Sequence, residues 1–229
     1  YNINKLGKPV DRTEWEMTPQ TYNAYYNPSN NEIVLPAAIF SIPGWNDDDI
    51  DDAIVYGYAA ASTIGHELTH GFDDQGCQYN EKGNLVKWWT PEDEKKFAER
   101  TKKIVTQFNK FVVLDSLHVN GEASQGENIA DLGGIVIAWD AFTKTKQYKE
   151  GKTINGLTPA QRYFLGYSLG WLGHQRNEAL ANQIMTDVHS PANLRVNGPF
   201  ANVDAFYKAF NVKPGNKMYV PEKDRIKIW

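Results

Sequence analysis

The chain has 229 residues, 41% hydrophobic, 23% charged and 13% aromatic, with a formal net charge of −4. That length suffices for a substantial hydrophobic core, and the slightly acidic balance gives no electrostatic case for nucleic acid or an anionic membrane. No apolar run approaches the ~18 residues needed to span a bilayer, and the single cysteine, Cys77, excludes an internal disulfide framework.

The opening "YNINKLGKPV" shows neither an initiator methionine nor a basic and apolar leader, so the chain is expected to start at a processing or cloning boundary. From Thr21 to Phe40, "TYNAYYNPSNNEIVLPAAIF" predicts two strands around a turn. "NPSNN" is dense in turn formers, and "EIVL" is short, partly β-branched and ended by Pro36. Five aspartates follow from Asp47 to Asp52, with Ile50 among them. They read better as the start of a helix than as a cation site, because acidic groups offset the helix dipole there. The alanine-rich run behind them is a strong helix former.

Three further helices are expected. In "TPEDEKKFAERTKKIVTQFNKF", Thr90 is the N-cap, Pro91 takes the first position and Asp93 completes a capping-box-like pair. Phe97, Ile104, Phe108 and Phe111 keep a helical apolar spacing on it. "ENIADLGGIVIAWDAFTK" is apolar nearly all round in its middle and predicts a core helix. "TPAQRYFLGYSLGWLGHQRNEALANQIM" opens with Thr158, Pro159 and Gln161, again a capping-box pattern. The polar "KTKQYKEGKTINGL" ahead of it reads as a surface loop. The coarse class is α+β, helix-rich, with a little sheet near the N-terminus and no internal repeats.

The stretch "ASTIGHELTHGFDDQG" holds two of the five histidines, His66 and His70, with Glu67 after the first. Four residues of helix turn through about 400°, so the two imidazoles lie on one face and can converge on one ion. Glu67 sits roughly 100° round the helix, within reach of a metal-held water without ligating the metal. This is the zinc-peptidase signature His-Glu-x-x-His. Its setting is small and apolar, where imidazoles and a carboxylate need partners that a metal supplies.

Zinc needs a third protein ligand. The class that continues to a glycine and a third histidine is excluded, since Asp73 and Gly76 stand at positions three and six after His70. The other class takes a glutamate from a later helix. Among the downstream acids Glu127 stands out, because "GENIADLGG" places Asp131 four residues on, on the same face. One acid can then hold metal while the other orients a ligand histidine. Glu122 has Gly126 in the equivalent place and lacks that partner.

"NAYYNPSNNEIVLPAAIF", "GHELTHGFDDQG", "GENIADLGG" and "DVHSPANLRVNG", in this order, resemble the catalytic C-terminal part of the neprilysin and endothelin-converting-enzyme family of zinc peptidases. The resemblance covers nearly the whole chain. It implies a thermolysin-like catalytic domain over residues 1–229 with one zinc ion on His66, His70 and Glu127, and Glu67 as the base. It further implies Asp131 as an active-site acid, His189 as oxyanion stabiliser and Arg195 as a clamp on a substrate carbonyl. Asn23 and Ala24 would hold the peptide backbone, their segment acting as an edge strand to which an extended substrate adds. The substrates implied are peptides cut on the amino side of large apolar residues. Animal members carry disulfide-forming cysteines, one in a closing "C-x-x-W"; this chain ends "DRIKIW" and resembles bacterial members instead. The family's upstream helical domain, which roofs the site, is missing from these residues, so a fragment of a longer chain is expected, and an extracytoplasmic location.

On their own, His189 and Arg195 would read as surface residues of a Pro-containing loop; their roles rest on the resemblance. His118 and His174 read as non-ligands, His174 in a core or supporting layer, and Cys77 as a small buried hydrophobe. The aromatic residues of "KWWTP" and "YFLGYSLGWLG" read as core. An aminopeptidase of the same class would use an upstream Gly-x-Met-Glu-Asn strand, and neither Met17 nor Met218 has that context. A catalytically silent peptide-binding fragment lacking its roof is the remaining alternative.

Overall fold

The N-terminal sheet forms as a short hairpin. In a computed structural model, which describes residues 2–228, strand β1 (Tyr25–Asn27) pairs antiparallel with β2 (Glu32–Val34), Tyr26 opposite Ile33. Its turn is "PSNN", with Asn31 in the left-handed region at φ 49° that asparagine tolerates. β1 has no strand on its other side among the described residues. The closing Trp229 lies outside the described residues.

The aspartate run starts a helix as expected. Asp51 is its N-cap, its side chain accepting from the Ile54 amide. The helix, α1, is continuous over 52–70 in three pieces. Asp52–Val55 is α-helical, Tyr56–Gly65 is wound as a π-helix, and His66–His70 is α-helical again. A π-segment of this kind gathers at functional sites, and here it ends at the first ligand-type histidine.

Helix α2 (Pro91–Phe108) is capped by Thr90, which accepts from the Asp93 amide. A small hairpin follows, β3 (Val112–Leu114) and β4 (Leu117–His118). Helix α3 (Gln125–Thr143) then runs through the centre of the molecule. Its Ile129, Leu132, Ile135 and Phe142 join Ile104 and Phe108 of α2 in one core. Helix α5 (Pro159–Leu169) adds Tyr163, Phe164 and Tyr167, and its predicted capping box is present. Phe142 stacks on Tyr163 with centroids 5.7 Å apart, and the Tyr163 hydroxyl donates to the Ile135 carbonyl at 2.6 Å. Each such buried ring contributes roughly 1.5–3 kcal/mol of transfer free energy.

Four expectations need correction. The supposed loop contains a one-turn helix, α4 (Lys146–Glu150), capped by Thr145 and ended by Gly151 in the left-handed conformation. The segment opened by Thr158 is two helices, α5 and α6 (Asn177–Thr186), because residues 170–176, which include Gly170 and Gly173, do not continue the helix. Two more helices, α7 (Ala192–Phe200) and α8 (Asp204–Phe210), follow. Helix α3 is not buried all round, since Val136 and Ile137 are 48% and 43% exposed. Trp88 is likewise half-exposed rather than core, whereas Tyr163, Phe164 and Tyr167 are fully buried.

Candidate metal centre and active-site cleft

Contact between α1 and α3 without side chains in the way creates the site. A Cβ on Gly134 would stand 2.3 Å from the Ala61 carbonyl oxygen, and one on Gly133 would stand 2.5 Å from Thr69 Cγ2. These glycines let the two backbones touch, and α3 then presents Glu127 and Asp131 to the histidines of α1.

His66 Nε2 and His70 Nε2 lie 2.9 Å apart, and Glu127 Oε2 is 3.3 Å from the first while Oε1 is 3.6 Å from the second. Among the described residues, this trio is the group of His, Cys, Asp and Glu able to hold a metal ion, its ligand atoms all within 4.8 Å of one another. The rear nitrogens are occupied. His66 Nδ1 is 3.0 Å from Asp131 Oδ1, and His70 Nδ1 is 2.7 Å from Asp73 Oδ2. A carboxylate only accepts, so each Nδ1 carries the hydrogen and each Nε2 presents a lone pair. Two lone pairs and a carboxylate aimed at one point can hold a cation between them. The donor set, two imidazoles and one carboxylate, fits zinc at an open catalytic position.

Burial pulls the His66 imidazolium down, but hydrogen bonds to Asp131 and Glu127 outweigh it and lift its pKa to about 9. Burial pushes Glu127 up, yet hydrogen bonds from His189 and His66 hold it well below the usual carboxylate range. Glu67, buried on the same helix, is raised, chiefly by burial, with His66 and His70 opposing. Asp131 is raised by burial and lowered more by the Arg195 guanidinium, so it stays ionised.

The remaining residues implied by the resemblance gather here too. A cleft of about 480 Å³ is lined by His66, Glu67, His70, Glu127, His189 and Arg195, with Asn23 and Ala24 at its rim beside β1. Asp131 lies behind it, bridging His66 to Arg195, whose Nε and Nη2 donate to its two oxygens at 2.8 Å each. Arg195 Nη2 also reaches Glu127 Oε2 at 3.4 Å. Arg195 is not on a surface loop: it sits on α7, 7% exposed. His189 does lie on the loop before α7, with Nε2 3.2 Å from Glu127 Oε2.

Several participants escaped sequence reasoning. Asp73 fixes His70 from the turn that follows the helix, only three residues on in sequence. Asp187 accepts from both the backbone amide and Nδ1 of His189, at 2.9 and 2.7 Å. Tyr167 donates to the Arg195 carbonyl, and Trp171 lies under its guanidinium at 4.1 Å. No local pattern announced those two contacts, which depend on the packing of α5 against α7. Trp171, partly buried, therefore packs against the core and also lines the cleft. His118 and His174 are both exposed, as is Glu122, which accepts from Asn109 instead. His174 is thus not a core histidine, and Cys77 is only partly buried.

The family model described as Peptidase family M13 matches residues 23–226. The chain belongs to peptidase family M13. It is 40% identical over 232 residues to an endothelin-converting enzyme homolog of Locusta migratoria, covering 100% of this chain and 31% of that one. To the neutral endopeptidase of Lactobacillus helveticus it is 38% identical over 229 residues, covering 100% and 33%. The solved zinc metalloprotease ZMP1 of Mycobacterium tuberculosis, in complex with an inhibitor, superposes with a TM-score of 0.91 at 42% identity, over 99% of this chain and 35% of that one. The helix-rich fold is thus that of M13 peptidases, and the chain spans about a third of the length of the relatives it matches. No helix among the described residues is long and apolar enough to cross a membrane.

Proposed function

We propose that this chain is the catalytic domain, over 1–229, of a longer zinc endopeptidase or oligopeptidase that cuts peptides on the amino side of large apolar residues. The observation that carries the reading is the convergence of His66 Nε2, His70 Nε2 and Glu127, with both rear nitrogens already held by acids. Bound zinc supplies a Lewis acid for the scissile carbonyl and lowers the pKa of an attacking water toward ~7.

Glu67 accepts the proton of that water and later delivers it to the leaving amine. Its raised pKa makes it a stronger base than an ordinary glutamate. His189 donates from Nε2 to the oxygen on which negative charge develops. Arg195 has Nε and Nη2 committed to Asp131, and Nη1 remains to grip a substrate carbonyl. The open edge of β1, beside Asn23 and Ala24, accepts an extended peptide by strand addition. An upstream helical domain of the same protein covers the cleft, and the whole protein works outside the cytoplasm.

Metal analysis combined with a peptide-library digest, with and without chelator, tests this. Equimolar zinc and chelator-sensitive cleavage before Phe, Leu or Ile are expected. Zinc without cleavage in the full-length protein would favour a silent peptide-binding role, and cleavage insensitive to chelator would end the zinc reading.

A further inference from the structure

The chain is acidic overall, yet one groove away from the cleft is basic. It runs between the C-terminal half of α2 and the segment 217–226, with a volume of about 1070 Å³. Lys102, Lys103 and Lys110 stand on one rim and Lys217 and Lys223 on the other, against two acids, Glu99 and Asp224. None of these five lysines makes an ion pair among the described residues. Elsewhere Lys87, Lys96, Lys144, Lys146 and Lys227 each face a carboxylate.

The floor is apolar. Phe111, Leu194, Met218, Val220 and Ile226 line it, and Leu194 and Ile226 are 8% and 5% exposed. It is also braced: Asn202 donates to Gln107 of α2 at 2.9 Å and accepts from the Ile226 amide at 3.0 Å, tying the walls together. Groove and cleft share no lining residue, although α7 serves both, sending Arg195 to one and Leu194 and Asn197 to the other.

We propose that this groove docks an acidic amphipathic segment of a polypeptide, with apolar side chains on the floor and carboxylates on the lysine rims. Charge complementarity selects the sign of the occupant, and the recessed floor selects its shape. A flat bilayer meets the lysines but cannot reach Leu194 and Ile226, whereas a narrow chain does both. Burial of the apolar side chains supplies affinity, and the lysines supply rate and specificity.

The test uses the full-length protein and fluorescence anisotropy of a labelled twelve-residue peptide alternating Glu and Leu. Saturable binding is expected, at least tenfold weaker for the Gln/Leu version and weakened again by 0.5 M salt, which screens charges beyond a few ångströms. The triple variant Lys102→Glu, Lys103→Glu, Lys217→Glu should lose at least tenfold in affinity with unchanged zinc content and unchanged cleavage of a short peptide. Val220→Ser, which removes apolar floor without adding charge, should also weaken the Glu/Leu peptide. No binding by wild type, binding unaffected by either variant, or equal binding of the Gln/Leu peptide overturns the proposal. So does tighter binding to phosphatidylserine vesicles that the triple variant abolishes while peptide binding persists.

Discussion

His66 Nδ1 and Asp131 Oδ1 are 3.0 Å apart, and both side chains are almost wholly buried. That carboxylate also carries the Arg195 guanidinium, so one acid sets the tautomer of a ligand-type histidine and the place of an arginine. Asp131→Asn keeps the shape and removes the charge. Zinc affinity should fall about 10–100-fold. Stability should fall by up to about 3–5 kcal/mol, the cost of stranding a buried partner, lessened because Glu127 remains 3.4 Å from Arg195. Zinc competition and chemical denaturation read the two effects, and wild-type values in both would refute the bridging role.

Glu67→Gln removes the proposed base and keeps volume. Fold and zinc content should persist while turnover drops by about 10²–10⁴. In the wild type, Glu67 must be ionised to act, and burial raises its pKa. Activity should therefore be lost as pH falls through a value above the ordinary carboxylate range. An acid limb that survives in Glu67→Gln would assign it to another group.

If His189 is the proposed oxyanion donor, it should set the alkaline limb. Asp187 accepts its Nδ1 hydrogen, so Nε2 carries a hydrogen only in the imidazolium. The hydrogen bond to Glu127 raises its pKa against the effect of burial, and Asp187 adds to the rise. Activity should decline as pH rises through that raised value. Asp187→Asn should move the decline to lower pH, and His189→Leu should cost about 10²–10³ in kcat. A pH profile unmoved by Asp187→Asn would contradict the donor assignment.

Much of this was legible in residue spacing. His66, Glu67 and His70 needed only the helical period, and Glu127 with Asp131 needed the period plus the requirement that a ligand histidine be oriented. The caps at Thr90 and Thr158 followed from local chemistry and formed as expected. Tertiary features were not readable. Arg195 reads as a loop residue in sequence because Pro191 stands just before α7 and Pro199 lies inside it. Trp171 does pack against the core, but nothing local shows that the chain leaves the helix at Gly170 and brings its indole under Arg195 as well. The exposed Val136 and Ile137 of α3 depend on what packs beside them, which a single helix pattern does not state.

Zinc must displace the proton that Asp131 and Glu127 hold on His66. With that pKa lifted to about 9 in the metal-free site, apparent zinc affinity should weaken about tenfold for each pH unit below it. Glu127→Ala should abolish tight binding. Glu122→Ala, altering an exposed side chain bonded to Asn109, should leave it intact. Isothermal titration at several pH values checks both, and zinc loss in Glu122→Ala would misplace the third ligand.

The closeness of α1 and α3 is itself testable. In Gly134→Ala the new methyl carbon would stand 2.3 Å from the Ala61 carbonyl oxygen and 2.7 Å from the His66 amide nitrogen, both backbone atoms that cannot swing aside. The helices must part, which costs about 1–3 kcal/mol by the usual penalty of overpacking. The same displacement draws Glu127 and Asp131 away from the histidines, so zinc affinity should fall with stability. Gly170→Ala is the matched control, because its methyl would make only ordinary contacts, with Tyr58 Cε2 at 3.5 Å and the Tyr167 carbonyl oxygen at 3.6 Å. Thermal unfolding and zinc titration of the pair decide the matter: equal behaviour of the two variants would mean that glycine at 134 is not what lets the site assemble.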